Sequence, residues 1–72
     1  MQSNNVNLTR PEQLLRLGQV ESLVGLRKSS IYEGMRRGTF PTPVKLSRRA
    51  VCWPASEIDA WIAEHIRNRA RA

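Results

Sequence analysis

The stretch Gln19-Val20-Glu21-Ser22-Leu23-Val24-Gly25-Leu26-Arg27-Lys28-Ser29-Ser30-Ile31-Tyr32-Glu33-Gly34-Met35-Arg36-Arg37-Gly38 decides how this chain folds. Val20, Leu23 and Val24 fall at i, i+3 and i+4, which is the spacing of one apolar helix face. That spacing predicts a short helix from Gln19 to Val24. Gly25-Leu26 interrupts it: glycine can take the positive φ of a tight corner, and Leu26 can plug the angle behind it. A second helix is expected from about Lys28 to Arg37, with Ile31 and Met35 as its inward stripe and Gly38 just past its end. Ser30-Ile31-Tyr32-Glu33 matches a capping box near its start. Two short helices joined by a glycine-containing turn form a helix-turn-helix pattern.

The same region holds the charge. Seven of the twelve Lys/Arg residues lie between Arg27 and Arg49, with Glu33 the only acid among them. Seven bases against one acid give +6, the formal charge of the whole chain, and the remaining five bases and five acids cancel. A basic but merely solvated surface is the bland account of such a cluster. Concentration on one helix and the segment after it is instead the electrostatic footprint of a duplex-DNA reader.

Downstream, Pro41-Thr42-Pro43 excludes helix, because each proline lacks a donor and restricts the residue before it. Val44-Lys45-Leu46 and Ala50-Val51-Cys52-Trp53 then read as two strands around the polar tip Ser47-Arg48-Arg49, a β-hairpin wing. Pro54 suits a first helical turn, and Ser56 with Asp59 offers a second capping pattern. Ile58, Trp61, Ile62, His65 and Ile66 follow i, i+3, i+4, i+7, i+8 spacing in a helix reaching about Arg69. Trp53 and Trp61 are expected as buried anchors and His65 as a half-buried packing residue. Arg67, Arg69 and Arg71 suit a helix C-terminus.

Upstream, the partial alternation of Leu14-Leu15-Arg16-Leu17 predicts a short strand with Leu15 and Leu17 on one face, ended by Gly18. The polar residues 1–12 are expected to be a flexible tail, 13–69 the domain and 70–72 a short C-terminal tail. Seventy-two residues make one domain near the lower limit for an unstapled core. The single cysteine, Cys52, cannot form an internal disulfide and is expected to fill the core, which fits a reducing cytoplasm. The only histidine, His65, has no partner at metal-ligand spacing. No apolar run approaches the ~18 residues of a membrane span, and MQSNNVNLTRP lacks the apolar core of a signal peptide. With no Ser/His/acid set, metal cluster or glycine-rich phosphate loop, an enzyme is not expected, and neither is a cofactor.

Leu15-Arg16-Leu17, Val20, Gly25-Leu26, Ser29-Ser30-Ile31-Tyr32, Gly38, Phe40-Pro41, Pro43-Val44-Lys45-Leu46, and Trp53 followed by Ser56-Glu57-Ile58 and Ala60-Trp61-Ile62 resemble the phage AlpA family. These are small prophage-encoded regulators, related to excisionases and to the MerR-type winged helix. The resemblance runs from about Leu14 to Ile66. It implies a small α+β fold, a winged helix-turn-helix with three helices, a short N-terminal strand and a β-hairpin wing. It implies a bacterial or prophage-encoded cytoplasmic protein, associated with the nucleoid, that regulates phage genes such as an integrase gene. Related excisionases bend DNA beside attachment sites and set the direction of recombination. Two departures bear on the second helix. Arg27 stands where the family usually has a Ser cap, which moves the expected helix start toward Ser29 or Ser30. Glu33-Gly34 replaces a basic residue and Leu, and a mid-helix glycine costs roughly 1 kcal/mol relative to alanine.

On this reading the second helix enters the major groove and presents Lys28, Ser29, Ser30, Tyr32, Glu33, Arg36 and Arg37. Arg36 and Lys28 are the expected base readers, donating to guanine O6/N7. Glu33 either accepts from cytosine N4 or completes the capping box with Ser30. Tyr32, Ser29, Arg27 and Arg37 are candidate phosphate donors. Lys45 belongs to the wing, and Arg48 and Arg49 at its tip are the expected minor-groove or backbone contacts. The partner is double-stranded DNA, with side-by-side self-association on it expected because one small module binds modestly. A protein-binding inhibitor on the same fold is the rival of another class. Single-stranded RNA fits less well, since both tryptophans are better placed in the core than on a stacking platform.

Overall fold

A computed structural model describes residues 12–69. Residues 1–11 and 70–72, which cover nearly all of the two expected tails, lie outside the described residues. The elements run β1 (Leu14–Leu15), α1 (Leu17–Val24), α2 (Lys28–Arg37), β2 (Val44–Lys45), β3 (Val51–Pro54) and α3 (Ala55–Asn68). The three strands form an antiparallel sheet in the order β1-β3-β2, with Leu15 opposite Trp53 and Val44 opposite Cys52. This is the winged helix-turn-helix expected, and β2 and β3 are its wing. No described helix is long and apolar enough to cross a membrane.

The corner between α1 and α2 follows from backbone sterics. Gly25 caps α1 at φ 75° and donates its N–H to the Glu21 carbonyl at 2.9 Å, and Gly38 ends α2 at φ 81°. A side chain at either position would meet the Cβ penalty of left-handed backbone. Behind the corner, Leu15, Val20, Ile31, Phe40, Trp53, Ala55 and Ile58 pack into one buried cluster, and Leu26 lies against it. Trp53 is fully buried, and its indole N–H donates to the Pro41 carbonyl at 2.8 Å. Phe40 meets Trp53 and Trp61 edge-on, at centroid distances of 6.4 and 5.1 Å. The free thiol of Cys52 is buried, as a core filler should be.

Local readings fail at four places. First, α1 begins at Leu17 and not Gln19, so Leu17 and Gly18 are helical and the strand is only Leu14–Leu15. Gln19 Oε1 accepts the Arg16 N–H at 2.9 Å, a backward cap that starts the helix two residues early. Second, α2 spans Lys28–Arg37 as the residue pattern predicts, but the shift toward Ser29 or Ser30 suggested by Arg27 does not occur and the capping box does not form. Ile31 N–H already bonds the Arg27 carbonyl at 3.0 Å, which places Ser30 inside the first turn, where it cannot be the cap. Its expected partner Glu33 turns instead to Arg36 and Arg37.

Third, Pro54 is the last strand residue, extended at ψ 132°, because it pairs with Leu14. Ser56 is therefore the second residue of α3 and cannot cap it. The cap comes from the other end of the domain: Glu12 accepts the Ser56 N–H at 3.1 Å and the Ser56 hydroxyl at 2.6 Å, while the Gln13 carbonyl accepts the Ala55 N–H at 2.7 Å. Glu12, the last residue of the expected tail, thus fills the role of an N-cap and places negative charge at a helix N-terminus. Fourth, only the near half of the α3 stripe is covered. Ile58 is fully buried, but Trp61 and Ile62 are half-buried and Ile66 is exposed. Trp61 Nε1 donates to the Thr39 carbonyl at 2.9 Å, and His65 stacks on Trp61 in the open with centroids 3.8 Å apart. A 14-residue helix is about 21 Å long and outruns the small sheet beneath it.

Gly34 has a packing reason that its position in a helix conceals. A Cβ there would lie 2.9 Å from the Phe40 Cβ. Its carbonyl also accepts the N–H groups of Thr39 and Phe40, at 2.8 and 3.2 Å. The missing side chain lets the link fold back over α2 and seat Phe40 in the core. Gly34→Ala gains helix propensity and still lowers stability by about 1–2 kcal/mol, since it overpacks this contact. Urea denaturation measures the difference.

The Ser56 hydroxyl, then the Ser56 N–H, hold the Glu12 carboxyl below its ordinary value of 4.5. A depressed folded pKa contributes stability that is present above the unfolded value and is lost as pH falls through the folded one. In thermal denaturation from pH 7 to pH 3, Glu12→Gln melts lower than wild type at neutral pH. The gap narrows as pH falls below about 4.5 and closes once the folded carboxyl, which titrates lower still, is protonated.

Candidate nucleic-acid interface

The described cations divide into two groups. Glu33 binds Arg36 at 2.6 Å and Arg37 at 2.9 Å, both along the last turns of α2. Glu64 pairs with Arg67 on α3. Arg27, Lys28, Lys45, Arg48 and Arg49 are exposed and make no ion pair among the described residues. Arg16 before α1 and Arg69 at the end of α3 are likewise exposed without an ion pair among the described residues, so most of the uncompensated charge sits at the start of α2 and on the wing.

Each position follows from local structure. The α1–α2 corner points Arg27, Lys28, Ser29 and Tyr32 into one cleft, bounded by Leu26 and Glu21. On the other flank of α2, Ser29, Ser30, Glu33, Arg37 and Thr39 line a second cleft. A third brings Lys28 and Tyr32 together with Arg49 of the wing and Arg16 before α1. At the wing tip, the Ala50 N–H reaches the Ser47 carbonyl at 3.4 Å and the Leu46 N–H reaches the Ala50 carbonyl at 2.8 Å. Arg48 and Arg49 are the central residues of that turn, which sends both side chains outward. Lys45 and Arg48 line none of these three clefts.

The Glu33 pairs change what Arg36 can do. Glu33 is 43% exposed, and Arg36 and Arg37 are 73% and 68% exposed. Pairs of this kind on a wet helix face are worth only about 0.3–0.5 kcal/mol each. The clamp holds both arginines along the helix, and an external acceptor can displace it at small cost. Arg36 and Arg37 also suit the negative end of the α2 dipole. Arg16 was absent from the sequence-level candidates. Its signal was its place immediately before α1, which the misread helix start obscured.

The sequence profile of the family described as "Prophage CP4-57 regulatory protein (AlpA)" matches residues 13–66. The chain is also similar to a protein of Enterobacteria phage P4 described as "Uncharacterized protein ORF88". The two are 45% identical over 60 residues, 83% of this chain and 68% of that protein. No solved structure matches the chain significantly.

If the Glu33 clamp is exchangeable, removing it barely affects the fold. Glu33→Gln lowers stability by less than about 1 kcal/mol in urea denaturation. A loss above about 2 kcal/mol would make the clamp a structural element and withdraw Arg36 from the interface.

Proposed function

The chain belongs to the AlpA family of prophage regulatory proteins, and from that premise we propose that it reads duplex DNA sequence-specifically to regulate transcription of a prophage gene, such as an integrase gene. The observation that carries this reading is the placement of five uncompensated cations on the start of α2 and on the wing. α2 lies in the major groove, with its N-terminal residues at the base edges. Lys28 donates to a guanine edge. Arg36 joins it once a DNA acceptor replaces Glu33. Glu33, engaged by two arginines, serves more to hold them than to read cytosine.

Ser29, Ser30, Tyr32, Arg27 and Arg37 contact phosphates on either side of the groove and set the helix register without reading sequence. Arg48 and Arg49 reach the neighbouring backbone or minor groove, with Lys45 behind them. No cofactor enters this mechanism. A single module of this size buries on the order of 600–1,000 Å² on DNA, so copies bind side by side on repeated sites.

Five phosphate contacts give a log–log salt slope of roughly −4.5, and Arg48→Ala with Arg49→Ala reduces it to about −2.7 with near-uniform loss of affinity across sequences. Purified protein incubated with sheared host DNA near about 0.15 M salt, followed by sequencing of the recovered fragments, tests the reading itself. Enrichment of a few sites upstream of a promoter supports the regulator. Enrichment beside an attachment site, with bending, assigns excisionase function instead. Uniform recovery, or full activity of the wing variant, would bring forward a protein-binding role.

A further inference from the structure

Arg16, Lys28, Tyr32 and Arg49 line one cleft, although they come from three separate places in the fold: the residue before α1, the first turns of α2 and the wing tip. No acid lines it, and Glu21 lines the adjoining corner cleft instead. None of the three cations has an ion-pair partner among the described residues. The main-chain N–H of Arg16 is taken by Gln19, while its side chain stands exposed and makes no ion pair among the described residues. Like charges gathered around one open cleft repel each other, and an anion between them turns that repulsion into attraction. Gly18, also in the lining, has nothing within 4 Å of where a Cβ would stand, so the approach is open. The start of α1 adds the partial positive charge of a helix N-terminus to the same cleft.

We propose that this cleft seats a single backbone phosphate of duplex DNA, gripped by Arg16 and Arg49 with the Tyr32 hydroxyl donating, beside the Lys28 ammonium that reaches on to the bases. The assignment rests on the DNA-reading function and adds Arg16 as a positioning residue outside both the recognition helix and the wing. One phosphate held there touches α1, α2 and the wing at once. It therefore sets the angle between wing and recognition helix, and with it the register in which Lys28 meets the bases. Contacts of this kind position the protein and carry no sequence preference of their own.

The test compares wild type, Arg16→Gln, Arg49→Gln and the double variant, with Arg69→Gln as a control away from the cleft. Binding to a short duplex is followed by fluorescence anisotropy across a salt series. Arg16→Gln is expected to weaken binding to all sequences alike and to reduce the salt slope by only part of the roughly 0.9 that one phosphate contributes. The double variant loses less affinity than the product of the singles, because both arginines hold the same phosphate. In duplexes with single neutral methylphosphonate substitutions, one position weakens wild type, weakens Arg16→Gln less and has little effect on the double variant. An unchanged melting temperature for Arg16→Gln shows that the effect is not one of folding.

Wild-type binding with Arg16→Gln indistinguishable in affinity and slope would overturn the phosphate seat and leave the DNA reading standing. So would fully multiplicative losses with no shared phosphate position. Absence of duplex binding by wild type would remove both. Inorganic phosphate is the second probe: saturable shifts of the Gly18 amide resonance at sub-millimolar phosphate, without duplex binding, would assign the cleft to a small phosphate ligand instead.

Discussion

Trp53 is the constraint on which the rest of the structure depends. It has no exposed surface, and its single polar atom is satisfied by the Pro41 carbonyl at 2.8 Å. Losing a buried ring of this size costs about 3–5 kcal/mol, a large share of the total stability of a small domain. The ring sits on the central strand β3, with β1 on one side, the wing strand on the other and Phe40 edge-on to it. The same contact that closes the core thereby fixes where the wing leaves the sheet and where the link returns from α2. A second indole, Trp61, repeats the device two residues earlier in the link by donating to the Thr39 carbonyl. The proline-rich segment has few donors of its own, and two tryptophans hold it by its carbonyls. Phe40 between them requires a position on α2 with no side chain, which explains Gly34.

A fold held this way leaves the recognition surface largely free of structural duty. The buried set contains no polar or charged residue among the described positions, so none of the interface cations contributes to the core. Within the interface, charge is graded. Glu33 restrains the two arginines at the end of α2, while the start of α2 and the wing remain uncompensated. On the proposed reading, the open cations supply the attraction that brings the domain to DNA. On the same reading, the restrained arginines exchange a weak intramolecular partner for a stronger external one only when an acceptor is correctly placed, which would favour specific over non-specific contact.

How much of this was legible in the chain depends on the range of the interaction involved. The helix-turn-helix corner, the extent of α2, the hairpin wing and the position of Arg48 and Arg49 at its tip follow from neighbours within a turn or a strand pair. The α1 start was misread because Leu15 and Leu17 satisfy strand alternation as readily as a strand followed by a helix. Only the backward cap from Gln19 separates the two. Ser30 and Glu33 had the spacing of a capping box but lay inside the helix, where two arginines one turn on were the better partners. The far stripe of α3 had helical periodicity, which reports a face and not whether anything covers it.

The sequence by itself determined the class of fold, the helix-turn-helix and wing, the +6 segment that runs from the corner to the wing tip and the family, because periodicity, turn chemistry and charge are local properties that travel with the chain. Tertiary structure alone decided that Glu12 caps a helix 44 residues away, that Gly34 makes room for Phe40, and that Arg16 stands beside Lys28 and Arg49. Each of these depends on a distance between residues remote in sequence. Such distances are set only when Trp53 is buried and the sheet closes around it.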